Sequence, residues 1–133
     1  MENIKYKKRF FVILAIILIG VFCISLTPKT LQNDTFYTIK IGEHIIENGE
    51  IDMLDPFSWH ENLEYTYPHW LYDVIIYLIY SIGGMTGIYI STCFFSIILG
   101  ASIFLVNKKI AKNEIISFVI TLLSMYLLKD YIA

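Results

Sequence analysis

Asp73 is the acid in this chain that most needs a reason, because it interrupts the apolar stretch that begins at Trp70. A carboxylate inside such a stretch is costly, so it serves either chemistry or the first turn of a helix, where the dipole favours it. Tyr77 and Tyr80 follow it at i+4 and i+7, giving that segment a polar stripe that should face protein and not lipid. Asp34 sits eight residues beyond an earlier apolar run, where it reads as the N-cap of a helix. Asp55 precedes a proline and reads as a turn residue. His44, His60 and His69 are spaced by 16 and 9 residues with no cysteine among them, which matches no compact metal-ligand pattern. No Gly-rich phosphate loop, nucleophile elbow or Cys-His pairing is present.

The elements that must carry these residues are mostly membrane helices. Residues 1–9 form a basic tail with Lys5, Lys7, Lys8 and Arg9, and the apolar run Phe10–Leu26 follows, interrupted only by Ser25. That order predicts a first span with its amino terminus in the cytoplasm. A cleaved secretory signal is the competing reading, but the run is long for a signal core and Leu26-Thr27-Pro28-Lys29 lacks a small-x-small cleavage site. The composition, 56% apolar and 16% aromatic, exceeds what a soluble core of this size needs. Residues 27–69 then form an acidic loop with eight Asp or Glu against Lys29 and Lys40, which excludes nucleic acid as a partner. Cys23 and Cys93 both lie in apolar segments and read as small hydrophobes, not as a disulfide.

Further along, spans are expected at 70–85, 87–106 and 115–128, with a flexible break at Gly83-Gly84-Met85-Thr86-Gly87 and a polar connector at 107–114. The fold class is therefore all-α: a bundle of about four transmembrane helices with an outer-face loop. Four crossings leave Lys108, Lys109 and Lys112 on the outer side, against the positive-inside tendency; a segment 70–85 that enters without crossing would remove the conflict. Gly83, Gly87, Ser91, Ser96 and Gly100 supply small residues for close helix packing. Within the loop, residues 34–48 read as an amphipathic helix on the repeat Tyr37, Ile41, Ile45, stopped by Asn48-Gly49. Phe36, Tyr37, Phe57, Trp59, Tyr65, Tyr67, Trp70 and Tyr72 suit an interfacial aromatic belt.

The run from Asp34 to Gly42-Glu43, then Asp55-Pro56-Phe57-Ser58, then Trp70-Leu71-Tyr72-Asp73 resembles the amino-terminal portion of polytopic C-type-fold glycosyltransferases. The bacterial members similar to protein mannosyltransferases and lipid A sugar transferases are the nearest in pattern, and the likeness covers about residues 10–106. Thr38 stands where many members carry a His, and Pro68-His69 where many carry His-Glu. The resemblance implies an inner-membrane enzyme that moves a sugar from a polyprenyl-phosphate carrier to an acceptor at the outer face. Asp34 would be its catalytic carboxylate, either taking the acceptor's proton or holding a divalent cation against the carrier phosphate, and Asp73 would be the second. The family's fold uses many more spans, so these 133 residues would supply its front part. The rival reading is a small non-catalytic membrane protein, or the remnant of a truncated transferase, that packs with partner helices.

Overall fold

A computed structural model of the chain describes residues 2–28, 33–51, 59, 60, 64 and 68–131. The described elements are four helices: α1 (Glu2–Leu26), α2 (Asn33–Asn48), α3 (Trp70–Ala111) and α4 (Glu114–Leu128), the last running into a 3₁₀ turn at Lys129–Tyr131. The all-α expectation is met, and two helices, Tyr6–Leu26 and Trp70–Ala111, are long and apolar enough to cross a membrane. The chain divides into two compact units, one of Met1–Thr30 with Ile90–Ala133 and one of Leu31–Tyr89.

In the first unit, α1 is helical well before its apolar run, because Lys, Arg and Glu propagate a helix without needing to bury anything. Thr27 closes its far end, its hydroxyl donating to the Cys23 carbonyl. The core is Ala15, Ile19, Cys23, Phe104 and Met125, so α1 packs against both the second part of α3 and α4. Gly100 is packed closely: a Cβ there would come within 2.8 Å of the Cys23 sulfur and 2.9 Å of Ile19. Small residues let helix backbones approach in this way. Both cysteines are free thiols, Cys23 buried and Cys93 half-buried.

The pairings fix the direction of each helix in this unit. Ile19 and Cys23 of α1 meet Gly100, Gly20 meets Ile97, and the other end of α1 lies at α4's start, where Lys7, Lys8 and Phe11 share a groove with Glu114 and Ile115. The 90–111 stretch of α3 therefore runs antiparallel to α1, and α4 runs parallel to it. The basic amino terminus and Lys108, Lys109 and Lys112 consequently stand at one end of the unit.

The expected connector at 107–114 is largely absent. α3 stays helical to Ala111, since Asn, Lys and Ala do not break a helix, and only Lys112 (φ 53°) and Asn113 make the turn. Asn113 then caps α4, its side-chain oxygen accepting from the amides of Ile115 and Ile116 at 3.0 and 3.2 Å. Thr121 and Ser117 are buried on α4, with Thr121 donating to the Ser117 carbonyl and Asn107 reaching Thr121 at 3.4 Å.

In the second unit, α3 does not continue straight through its glycines. Gly84 has φ 58° and ψ −150°, a backbone region that residues with a Cβ avoid. A Cβ on Gly87 would lie 3.0 Å from the Ile79 carbonyl oxygen, although eight residues of uninterrupted helix would separate them by about 12 Å along the axis. The chain thus folds back at Gly84, and Ile76 and Ile88 join one small core with Ile39 of α2. The arm before the bend, residues 70–83, is about 21 Å long by helical rise, short of the roughly 30 Å a crossing needs.

The amphipathic helix α2 ends where expected, Gly49 adopting φ 71° with its amide donating to the Ile45 carbonyl. Two details differ from the sequence reading. The helix begins at Asn33, so Asp34 lies in its first turn and is not the N-cap. Its buried residues are Ile39, Ile41, Gly42 and Ile45, whereas Tyr37 is exposed. Ile39 is called inward because α2 packs against more than one neighbour: Ile39 meets Ile76 and Ile88, while Ile41 and Ile45 meet Val74 and Ile51. The expected turn at Asp55–Ser58, and Phe57, Tyr65 and Tyr67 of the aromatic belt, lie outside the described residues.

Candidate functional site

The register between α2 and the 70–83 arm is set by a glycine. Gly42 lies directly against the arm: a Cβ there would fall onto the Asp73 carbonyl group and come within 2.7 Å of the Tyr77 Cβ. Any side chain at 42 would push the two helices apart. With Gly42 over Asp73 and Tyr77, the residues one and two turns earlier on α2, Thr38 and Asp34, come alongside Asp73 and His69. The two helices run in the same direction, and their first turns share one end.

A cleft of about 260 Å³ opens at that end, lined by Asp34, Tyr37, Thr38, Ile41, Pro68, His69 and Asp73. Both candidate catalytic carboxylates, Asp34 and Asp73, therefore line the same cavity. Asp34 is exposed to solvent at its mouth, and Asp73 is 4% exposed at its wall. The carboxylate of Asp73 accepts from the Thr38 hydroxyl. It also faces His69 across 3.7 Å from Oδ2 to Nδ1, too long for a direct hydrogen bond and an ion pair only when the imidazole is protonated. Each acid stands in the first turn of its helix, where the dipole favours negative charge.

The polar stripe behaves as the spacing implied. Asp73 is buried, and Tyr77 and Tyr80 pack beside the Ile39, Ile76 and Ile88 core. Sequence reading did not assign Thr38 and His69 to a common site with Asp73. The signal was available in part, since Asp34 and Thr38 are i and i+4 on α2, and His69, the residue just before α3, stands four before Asp73. The pairing of the two helices was not legible without Gly42's contact.

The other histidines stand apart from the cleft's lining. His44 pairs with Asn48 one turn on, at 3.0 Å, and His60 stacks on Trp59 with ring centroids 3.8 Å apart. Among the described residues, no three His, Cys, Asp or Glu side chains stand close enough to hold a metal ion. No family model, curated protein or solved structure matches this chain.

Proposed function

We propose that the chain is a multi-pass envelope membrane protein of the lipid-linked sugar transferase type, whose cleft brings a polyprenyl-phosphate sugar to an acceptor hydroxyl. The observation that supports this most is that Asp34 and Asp73, distant in sequence, line one cavity with Thr38 and His69. The wall of the cavity mixes an apolar side, Ile41 and Pro68, with acids and a hydroxyl, which suits a sugar bound by face contact and hydrogen bonds.

In this reading the chain crosses the bilayer three times, through α1, the post-bend part of α3, and α4. The 70–83 arm stays with α2 on the outer side. Both basic clusters then lie in the cytoplasm, as the positive-inside tendency favours, and the conflict raised by four crossings disappears. At 15 residues α4 is about 22 Å long, hardly longer than the 70–83 arm, so its crossing is assigned from its parallel packing on α1 and not from its length, with Lys129 snorkelling and the bilayer thinning around it.

The chemistry divides between the two acids by exposure. Asp34, at the mouth, accepts the proton of the acceptor hydroxyl as its oxygen attacks the anomeric carbon. The bond from that carbon to the phosphate oxygen breaks, and polyprenyl phosphate leaves with the electron pair. Asp73, held by Thr38 and facing His69, positions the wall and is not itself accessible enough to take that proton. The parent chain in liposomes, supplied with polyprenyl-phosphate hexoses and an acceptor, should release polyprenyl phosphate. Asp34→Asn should cut that release at least about a hundredfold while membrane insertion is unchanged. Release at the parent rate by the variant, or none by the parent chain from any hexose donor, overturns the assignment.

Asp73 gives the outer unit a pH dependence of defined sign. Burial raises its carboxyl above the ordinary value, with the charge and hydrogen-bonding capacity of His69 and the Thr38 hydroxyl pulling it back. The folded state therefore holds its proton more tightly than the unfolded state does. The stability gained from that proton is full below the ordinary carboxylate range, near about 4, and is lost as pH rises through the raised folded value. The melting temperature of the detergent-solubilised chain should fall across that mildly acidic window, and Asp73→Asn should flatten the slope. An unchanged slope in the variant would assign the dependence to another group.

A further inference from the structure

A second cavity lies in the other unit, between the amino-terminal part of α1 and the start of α4. It measures about 250 Å³ and is lined by Lys7, Lys8, Phe11, Glu114 and Ile115. Its chemistry is divided: two ammonium groups from one turn of α1, beside the apolar surfaces of Phe11 and Ile115. Lys7 and Lys8 are exposed, and so is Arg9 beyond them. Lys108, Lys109 and Lys112 end α3 on the same side, so the field around the groove is positive despite Glu114 in its wall. The amides of Ile115 and Ile116 are already satisfied by Asn113, so any attraction for an anion comes from the lysines and not from the helix end.

We propose that this groove is a headgroup site for an anionic phospholipid of the cytoplasmic leaflet. The phosphodiester sits between the Lys7 and Lys8 ammonium groups, and the upper part of an acyl chain lies on Phe11 and Ile115. A basic pocket between membrane helices on the cytoplasmic side has the charge and the amphipathic walls that such a lipid needs. A zwitterionic lipid brings a compensating cation to the same lysines and gains little. Glu114 opposes the phosphate and holds the affinity down. The inference rests on the membrane reading above, but not on the sugar-transfer reading.

Carbonate extraction of membranes expressing the full chain comes first: a chain released by carbonate overturns both the membrane reading and this site. For the retained chain, native mass spectrometry from micelles with added phosphatidylglycerol or phosphatidylcholine gives the affinity of the first bound lipid. Phosphatidylglycerol should bind more tightly, and Lys7→Gln with Lys8→Gln should weaken it about tenfold while phosphatidylcholine is unaffected. Glu114→Gln should tighten phosphatidylglycerol two- to threefold, by the order of one screened surface charge. Lys129→Gln, on the far end of α4, should change nothing. Equal binding of the two lipids, or displacement of phosphatidylglycerol by millimolar glycerol phosphate, overturns the site. So does an equal loss on Lys108→Gln with Lys109→Gln, which would assign the preference to a diffuse surface potential.

Discussion

Gly42→Val should separate α2 from the 70–83 arm and abolish the cleft, leaving the unit of α1 and α4 intact. The reason is the space, not the backbone conformation. Replacing a mid-helix glycine by a residue with a Cβ normally gains stability, up to about 1 kcal/mol for alanine, because glycine is the poorest ordinary helix former. Here the added atom would land on the Asp73 carbonyl and within 2.7 Å of the Tyr77 Cβ, and neither is the movable end of a side chain. Overpacking of this kind costs about 1–3 kcal/mol when the neighbours can shift, and more when the neighbour is backbone. The sign therefore reverses: even Gly42→Ala should destabilise, and valine should do so further. Gly49 makes the internal comparison, since it has open space around it but a φ of 71°. Gly49→Ala should cost about 1 kcal/mol through backbone strain and leave the cleft in place. Hydrogen exchange read over residues 36–46 and 72–78 separates the cases. Faster exchange in both stretches for the Gly42 variants, with residues 12–23 unchanged, is the expected pattern; protection equal to the parent's would mean that the close approach at Gly42 does not hold the helices together.

That one glycine also marks the limit of what the sequence discloses about the fold. The apolar run of α1, the inward stripe of Asp73, Tyr77 and Tyr80, and the stop at Gly49 all follow from local periodicity and backbone preference, and all are found in the fold. The break at Gly83-Gly84 was legible as a break, but its consequence was not. A glycine pair permits a kink, a turn or a straight helix, and the contact between Gly87 and Ile79 decides among them. The start of α4 illustrates the opposite error. Polar residues between two apolar runs suggest a loop, yet polarity alone does not end a helix, and α3 continues to Ala111 until Lys112 turns left-handed. Asp34 and Asp73 were each identifiable as acids that needed a purpose. Their meeting in one cavity depends on the register of two helices, and no spacing within either helix encodes that register.

The fold-back at Gly84 bears most directly on which residues face which side of the membrane. If 70–83 crossed, α1 and the post-bend part of α3 would run in the same direction, and Lys108, Lys109 and Lys112 would emerge outside. Their pairing is instead antiparallel, with Gly100 against Ile19 and Cys23 while Lys7 and Lys8 lie near Glu114. Moving three lysines to the outer face would also oppose the orientation bias of basic residues in short loops. The outcome is all-or-none and so the largest effect expected here. In a chain with Cys23→Ala and Cys93→Ser, single cysteines at Lys109, Lys129 and Glu50 can be probed in spheroplasts with a membrane-impermeant maleimide. The Lys109→Cys chain should label only after the membrane is opened, whereas Lys129→Cys and Glu50→Cys should label at once. Four crossings require the reverse at the first two positions and the same result at the third. Immediate labelling at 109 with protection at 129 would therefore restore the four-span arrangement. It would also leave Lys7 and Lys8 in the cytoplasm with Glu114 and Ile115 outside, which dissolves the lysine groove, while the cleft at Asp34, carried by the loop that follows α1, would stay on the outer side in either arrangement.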